Sequence, residues 1–274
     1  MTTVYGKLNN LLTAANAKTG ESDTTLTDAV QTLIDGYGGG GGGGFTADDI
    51  WQGNVSGTVT MNASMFPKPV YYAYQKITSL SAPNATSLRT TSSGQFPSGA
   101  FEGITSLTTV YAPLATGLID YIFRNCTALT DVNVRSVTDS ASGPFTGCTA
   151  LPVIVLPKIN VIYHNAFNGC RSLAAADILG GNYIGQNCFN GCTPLDTFII
   201  RRNGVCTLQN INSFAGTPFA SDGTGGTLYV PQAQISSYQS ASNWSTILGY
   251  ANNSIQAIEG SQYETQYADG TVIE

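Results

Sequence analysis

From Phe101 onward the apolar positions keep one register. Phe101, Phe123, Phe145, Phe167 and Phe189 recur at an interval of 22 residues, and Leu107, Leu129, Leu151, Leu173 and Leu195 recur beside them at the same interval. Cys126, Cys148, Cys170 and Cys192 form a third row. Three rows in one register are one short unit copied along the chain. A unit this short cannot bury its apolar face alone, so the period predicts a solenoid whose coils cover one another. In the unit that begins at Leu151, the residues Leu151, Ile154 and Leu156 are expected inward. Val153 and Val155 are expected outward, by the alternation of a strand. Pro157 ends that strand because it has no N–H for the ladder. Ile162, Ala166 and Phe167 return to the core, and Asn168-Gly169 turns the chain. Val110, Val132, Ile154, Ala176 and Phe198 fill the first inward strand slot; Ala112, Val134, Leu156, Ile178 and Ile200 fill the second. Roughly six inward side chains per coil, each worth ~1.5–3 kcal/mol when buried, outweigh backbone entropy only if coils stack. About five coils at ~4.8 Å give a parallel sheet about 25 Å long, with short strands or irregular turns on the other side.

The pattern divides the chain. Residues 1–37 read as two amphipathic helices: Tyr5, Leu8, Leu11, Leu12 and Ala15, then Leu26, Ala29, Val30, Leu33 and Ile34, follow helical spacing. Asp23, Thr24 or Thr25 caps the second and Gly36 ends it. Helices this short must pack on each other, on a partner or on further copies. Residues 38–44 are seven glycines in a row, which no regular element survives, and read as a linker. Residues 45–75, with Val55, Val59 and Met61 and then Val70, Tyr72 and Tyr74, read as strand material forming an N-terminal cap. Residues 76–216 are the repeats. Ile77 and Leu107 are 30 apart rather than 22, so Arg89 to Gly99 is a polar loop; Phe214 follows Phe189 by 25, so the last coil is longer. In 217–274, Leu228 and Val230 read as a strand, Pro231 as a helix start, and Ile235, Tyr238 and Trp244 as apolar cover for the last coil. The tail after Gly260 is polar and expected to be mobile.

Only 10% of residues are charged, the net charge is −6, and there are 11 Lys and Arg. Such a surface excludes nucleic acid and anionic membranes, which need clustered cations. No run of 18 apolar residues exists for a spanning helix. Met1 to Leu12 lacks the apolar core of a secretion signal, and Met1 argues against a cleaved one. Asn54, Asn62, Asn84, Asn125 and Asn243 head glycosylation triplets, at the frequency chance gives in a chain so rich in Asn, Ser and Thr.

Candidate chemistry is sparse. Zinc needs four sulfurs about 2.3 Å from one point, whereas a cysteine ladder spreads its ends about 14 Å apart. Parallel Cβ vectors on adjacent rungs are poorly aimed for disulfides. Ile104 takes the same slot in the first unit, so free, buried thiols are expected there, and at Cys188 too; Cys206 has no partner in the ladder. His164 is the only histidine and has no triad around it. No carboxylate pair, phosphate loop, catalytic residue, metal site or cofactor site is found. The outward strand positions form the candidate ligand-binding surface: Thr109 and Tyr111, Asp131 and Asn133, Val153 and Val155, Ala175 and Asp177, Thr197 and Ile199, followed by Arg201 and Arg202. Tyr121 and Tyr163 are expected outward on the opposite side.

Ala166-Phe-Asn-Gly-Cys-Arg-Ser-Leu173 and Phe189-Asn-Gly-Cys-Thr-Pro-Leu195 resemble the Ala-Phe-x-x-Cys-x-x-Leu signature of BspA-like leucine-rich repeats. The resemblance covers 76–216. It implies a β-rich leucine-rich-repeat solenoid of 22-residue coils with a parallel sheet, used in adhesion or receptor binding, with no catalytic residues. Leu228 to Tyr238 with Asn243-Trp244 looks like the C-terminal cap that often closes such arrays. In the unit at Leu129, Ser140 and Gly143-Pro144 replace the usual apolar pair, so looser packing is expected. The start, Tyr5-Gly-Lys-Leu-Asn-Asn-Leu-Leu12 with the second helix and the glycine run, resembles tail-tip and fibre proteins of phages and prophages of Gram-positive hosts. That implies a virion protein, a receptor-binding component of a phage tail, whose solenoid engages a glycan or protein receptor on the host cell. Residues 1–37 would then dock on other tail proteins or form a homo-oligomer such as a trimer. A bacterial surface adhesin with the same repeats is the alternative; a glycan hydrolase is the reading from another class, disfavoured by the missing carboxylate pair.

Overall fold

The computed structural model describes residues 57–60, 77–82, 88, 99, 101–258, 265–266 and 272–273, the ranges 57–60, 265–266 and 272–273 as backbone. The helical module expected at 1–37, the glycine run 38–44, most of 45–75, the interior of the Arg89–Gly99 loop and most of the tail lie outside the described residues.

The repeats stack as coils. β1 (Gly57–Thr60), β2 (Ile77–Ser81), β3 (Thr109–Tyr111) and β4 (Asp131–Asn133) form a parallel sheet in chain order. Each of the next three coils gives a longer strand and a two-residue strand on the opposite side. These are β5 (Val153–Leu156) and β6 (Val161–Ile162), β7 (Ala175–Ile178) and β8 (Tyr183–Ile184), and β9 (Thr197–Ile200) and β10 (Thr207–Leu208). Joined by β11 (Thr227–Val230) and β12 (Ser254–Ala257), the longer strands make a parallel sheet in the order β12-β11-β9-β7-β5. The short strands make the order β10-β8-β6. In the tail, β13 (Thr265–Gln266) and β14 (Val272–Ile273) pair antiparallel.

The sequence predicts one main sheet; the structure has two, divided between β4 and β5. Pro152 is the cause. At equivalent positions a backbone N–H reaches the preceding coil: Thr108 to the Thr78 oxygen (2.8 Å), Thr130 to Thr108 (2.9 Å), Ala174 to Pro152 (2.8 Å) and Asp196 to Ala174 (3.2 Å). Pro152 has no N–H to give to Thr130, so that rung is missing and the ladder is interrupted.

The core runs the length of the stack. Ring centroids of Phe101, Phe123, Phe145, Phe167 and Phe189 are 5.7, 5.6, 5.4 and 5.4 Å apart in succession, with near-parallel planes. Phe214 still lies 5.6 Å from Phe189, because a 3₁₀ turn at Ile211–Phe214 takes up the extra residues of the last coil. The unit at Leu129 is not loose, since Phe145 stacks on its neighbours at 5.6 and 5.4 Å, within the range of the rest of the column. Ser140, buried where Ile162 and Ile184 stand in later coils, donates to the Ala141 oxygen (2.8 Å) and accepts the Tyr163 N–H (2.9 Å). Its polar atom is thereby satisfied. The turn beside the phenyl column holds Asn165 (φ 58°) and Gly169 (φ 73°) in the left-handed region, and Asn187 and Gly191 repeat it one coil on. Asn tolerates that conformation and Gly adopts it without steric penalty.

Beyond the last coil, Pro231 leads through a 3₁₀ turn into α1 (Ile235–Ser240), which is followed by α2 (Trp244–Leu248). Tyr238 Oη accepts the Cys206 N–H (2.9 Å), and Trp244 Nε1 donates to the Cys206 oxygen (2.7 Å). Both rings are buried, and the indole lies 5.8 Å from Phe214.

Removing one ring from the middle of the column leaves a void that rigid coils on both sides cannot close. Phe145→Ala should therefore cost about 3–5 kcal/mol, and Phe145→Leu less, read as a shift in urea midpoint at constant slope.

Candidate recognition surface

The outer face of the two main sheets carries two rows of side chains. Thr109, Asp131, Ala175 and Thr197 in the first row are half-buried, and Val153 is 44% exposed. The second row differs from the expectation. Tyr111 is half-buried, but Asn133 (6%), Val155 (8%), Asp177 (4%) and Ile199 (7%) are buried. Their strands alternate as expected only in the first half; the burial pattern of β7 and β9 is one half-buried residue followed by three buried ones. Val155, Asp177 and Ile199 are paired in register on β5, β7 and β9. Side chains one strand spacing apart cover each other's flanks.

Arg201 then closes over Asp177. Its Nε donates to Oδ1 at 2.9 Å and its Nη2 to Oδ2 at 2.8 Å, a two-pronged ion pair with side-chain exposures of 11% and 6%. Of the sequence-predicted contact residues, Thr109, Tyr111 and Asp131 therefore present accessible surface, with Val153 beside them. Asn133, Val155, Asp177 and Ile199 do not, and Arg201 is engaged with Asp177. The signal for this pair was an offset of 24, one coil plus two residues, which places Arg201 just past the end of the neighbouring strand.

On the opposite side Tyr163 is 41% exposed and Tyr121 half-buried. The Arg124 guanidinium lies 4.5 Å from the Tyr121 ring and its Nε donates to Glu102 Oε1 at 2.6 Å. His164 is structural: its Nδ1 accepts the Gln186 N–H of the next coil at 3.1 Å.

All six cysteines are buried, free thiols. Each ladder thiol donates to the carbonyl of the phenylalanine one coil back: Cys126 to Phe101 (3.1 Å), Cys148 to Phe123 (3.2 Å), Cys170 to Phe145 (3.1 Å) and Cys192 to Phe167 (3.1 Å). Burial pushes the thiols of Cys126, Cys188 and Cys206 up to about 12, and Cys148 well above its ordinary value. Cys192 is raised first by the neighbouring Cys170 sulfur and then by burial. Thiolate is the nucleophile and the metal ligand, so these groups are inert in the folded chain. Among the described residues no cluster of three or more His, Cys, Asp or Glu could hold a metal ion. Nor is any helix among them long and apolar enough to cross a membrane.

Two consequences are measurable. Raised thiols bind protons more tightly in the fold than in the unfolded chain. Stability is therefore full below the ordinary value of 9.0 and is lost as pH rises from there toward about 12. Each fully titrating thiol contributes a slope of about 1.4 kcal/mol per pH unit, and Cys126→Ala should flatten the alkaline limb of a stability–pH curve. Separately, Arg201→Leu leaves the Asp177 carboxylate buried without its main cation and should cost about 3 kcal/mol. Adding Asp177→Leu should restore most of that loss in denaturant titrations, since two apolar neighbours replace two buried charges.

The family model for the BspA type leucine-rich repeat region matches residues 66–196 in six copies. Among solved structures, a leucine-rich repeat protein from Bacteroides ovatus is similar at 19% identity over 75% of this chain and 43% of its own, with a TM-score of 0.45. TpLRR, a leucine-rich repeat protein of T. pallidum, is similar at 20% identity over 73% of this chain and 80% of its own, with a TM-score of 0.42. The chain thus spans less than half the length of the first of these. No curated protein matches it. Residues 66–196, just under half of the chain, are thus similar to the BspA type leucine-rich repeat region.

Proposed function

We propose that this chain is a non-catalytic recognition protein whose solenoid binds a glycan or protein receptor on a host cell surface, as part of a phage tail. The observation that carries the recognition role is the first outward row. Thr109, Asp131, Val153, Ala175 and Thr197 hold equivalent positions on successive coils, are accessible, and differ in chemistry. The inward slots beneath them are uniformly apolar and buried. A ridged, weakly charged face of this kind suits a neutral polar ligand. Tail attachment rests on the sequence of residues 1–44, where two helical stripes precede a glycine run that gives reach. Copies joined through residues 1–37 would turn weak single contacts into avid ones. The stretch beyond the last coil would close the array, as exposed end coils require. The repeats alone serve a bacterial surface adhesin equally well, and residues 1–44 are what favour the tail.

Purified full-length chain should sediment with intact Gram-positive host cells. Val153→Glu should weaken that binding about tenfold, roughly 1.4 kcal/mol, with an unchanged melting temperature. Binding indifferent to a charge introduced at Thr109, Val153, Ala175 and Thr197 in turn would end the recognition reading. Deleting 1–44 should abolish incorporation into virus particles, whereas recovery of the protein from the outer surface of uninfected cells would select the adhesin.

A further inference from the structure

The chain holds three Asn-Gly pairs, Asn168-Gly169, Asn190-Gly191 and Asn203-Gly204. Such pairs are chemically labile, because the glycine amide nitrogen can attack the asparagine side chain unhindered by a β-carbon. The fold treats the three very differently. The Gly169 N–H donates to the Asn190 oxygen (2.8 Å) and the Gly191 N–H to the Ala215 oxygen (2.8 Å), so both nucleophiles are tied into the coil-to-coil ladder. All three glycines have positive φ, 73° at Gly169, 74° at Gly191 and 137° at Gly204, so the difference lies in the N–H and not in the backbone region.

Asn203-Gly204 lies in a bend between β9 and β10, with Asn203 exposed. Among the described residues no hydrogen bond uses the Gly204 N–H; its carbonyl accepts only a long bond from Tyr238 Oη at 3.4 Å. A second observation points the same way. The Arg202 guanidinium is braced by its Nη1 donating to the Gly181 oxygen (3.3 Å) and touching Asn182 Oδ1. That position brings Nη2 to 3.2 Å from where a Gly204 Cβ would sit. A cation held this close to the Gly204 α-carbon favours loss of the neighbouring amide proton.

We propose that Asn203 is a site of spontaneous self-modification, a deamidation confined by the fold to this one Asn-Gly pair. The Gly204 nitrogen bonds to Asn203 Cγ, the Cγ–Nδ2 bond breaks, and ammonia leaves with the amide proton. A cyclic imide results. Water then adds to either imide carbonyl and opens the ring to aspartate or to the isoaspartyl linkage. No other reactant is needed. The product places a carboxylate beside Arg201 and Arg202, so the charge at this rim of the candidate recognition face falls with the age of the protein.

The test is to age the full-length protein in mildly alkaline buffer and follow all three pairs by peptide mapping and mass spectrometry. Deamidation at Asn203 should outpace Asn168 and Asn190 by on the order of tenfold or more, because those two react only after local opening. In denaturant the three rates should converge. Asn203→Gln should remove the new acidic species on isoelectric focusing, and Arg202→Gln should slow its appearance. Equal rates at the three pairs in the folded protein, or an Asn203 that outlasts the others, would overturn the proposal. So would an Arg202→Gln variant that keeps the full Asn203 rate with an unchanged melting temperature, for the part assigned to the guanidinium.

Discussion

Successive coils are tied by backbone hydrogen bonds on two sides, along the main sheets and along the phenyl column. On the main-sheet side the bonds run both ways, from Thr130 to the Thr108 oxygen and from Ala112 to the Asn133 oxygen, and the rung at Pro152 is missing. On the phenyl side the earlier coil donates to the later one: Phe123 to the Pro144 oxygen, Phe145 to Ala166, Phe167 to Cys188 and Phe189 to Ser213. A coil pinned on two sides has one permitted rise. Each side chain must then lie over its equivalent in the next coil. Extra residues are tolerated only between those fixed points, as in the 3₁₀ turn that carries the last coil to Phe214. The aromatic column and the thiol ladder follow from that constraint; neither creates it.

This explains what could be read from the sequence. The inward slots were legible because one rise imposes one period, and a period survives in the text. The phenylalanines, the leucines and the two inward strand slots all lie in the core as the spacing predicts. The division of the main sheet was present as a single letter, Pro152, but its meaning depended on knowing that this position donates to the previous coil in every other unit. Ser140 looked like a packing fault because its residue type breaks the apolar pattern. The fault disappears once its two hydrogen-bond partners, one of them in the next coil, are seen.

The outer face was legible only in part. Alternation says which face a strand residue points to, and it gave Thr109, Asp131 and Val153 correctly. It does not say what lies across that face. Asp177 and Arg201 are separated by 24 residues, off the period, and their pairing depends on a side chain reaching sideways over a neighbouring strand. A charged pair that is this enclosed adds little net stability over two apolar residues. Its effect is to fix the end of β7 against the segment after β9, the segment in which Arg202 and Asn203 also sit.

The third position after each core phenylalanine shows how the same constraint chooses chemistry as well as size. Cys126, Cys148, Cys170 and Cys192 occupy it in successive coils, and Ile104 and Thr217 occupy it at either end. Volume alone would allow alanine or valine. Each of these phenylalanine carbonyls from Phe123 to Phe167 already accepts one N–H from the cysteine of its own coil, at 3.1 Å, and has a second lone pair facing the coil above. A thiol from that coil supplies a weak donor while remaining small and apolar enough for the core. A hydroxyl there would have to find a full hydrogen bond or be penalised. At Thr217 it does so by turning back to the Phe214 oxygen of its own coil at 2.7 Å, an option that keeps the coil closed without reaching to the one before. Cysteine in this row is therefore a packing residue selected by a buried carbonyl, and its thiol is consumed by that role.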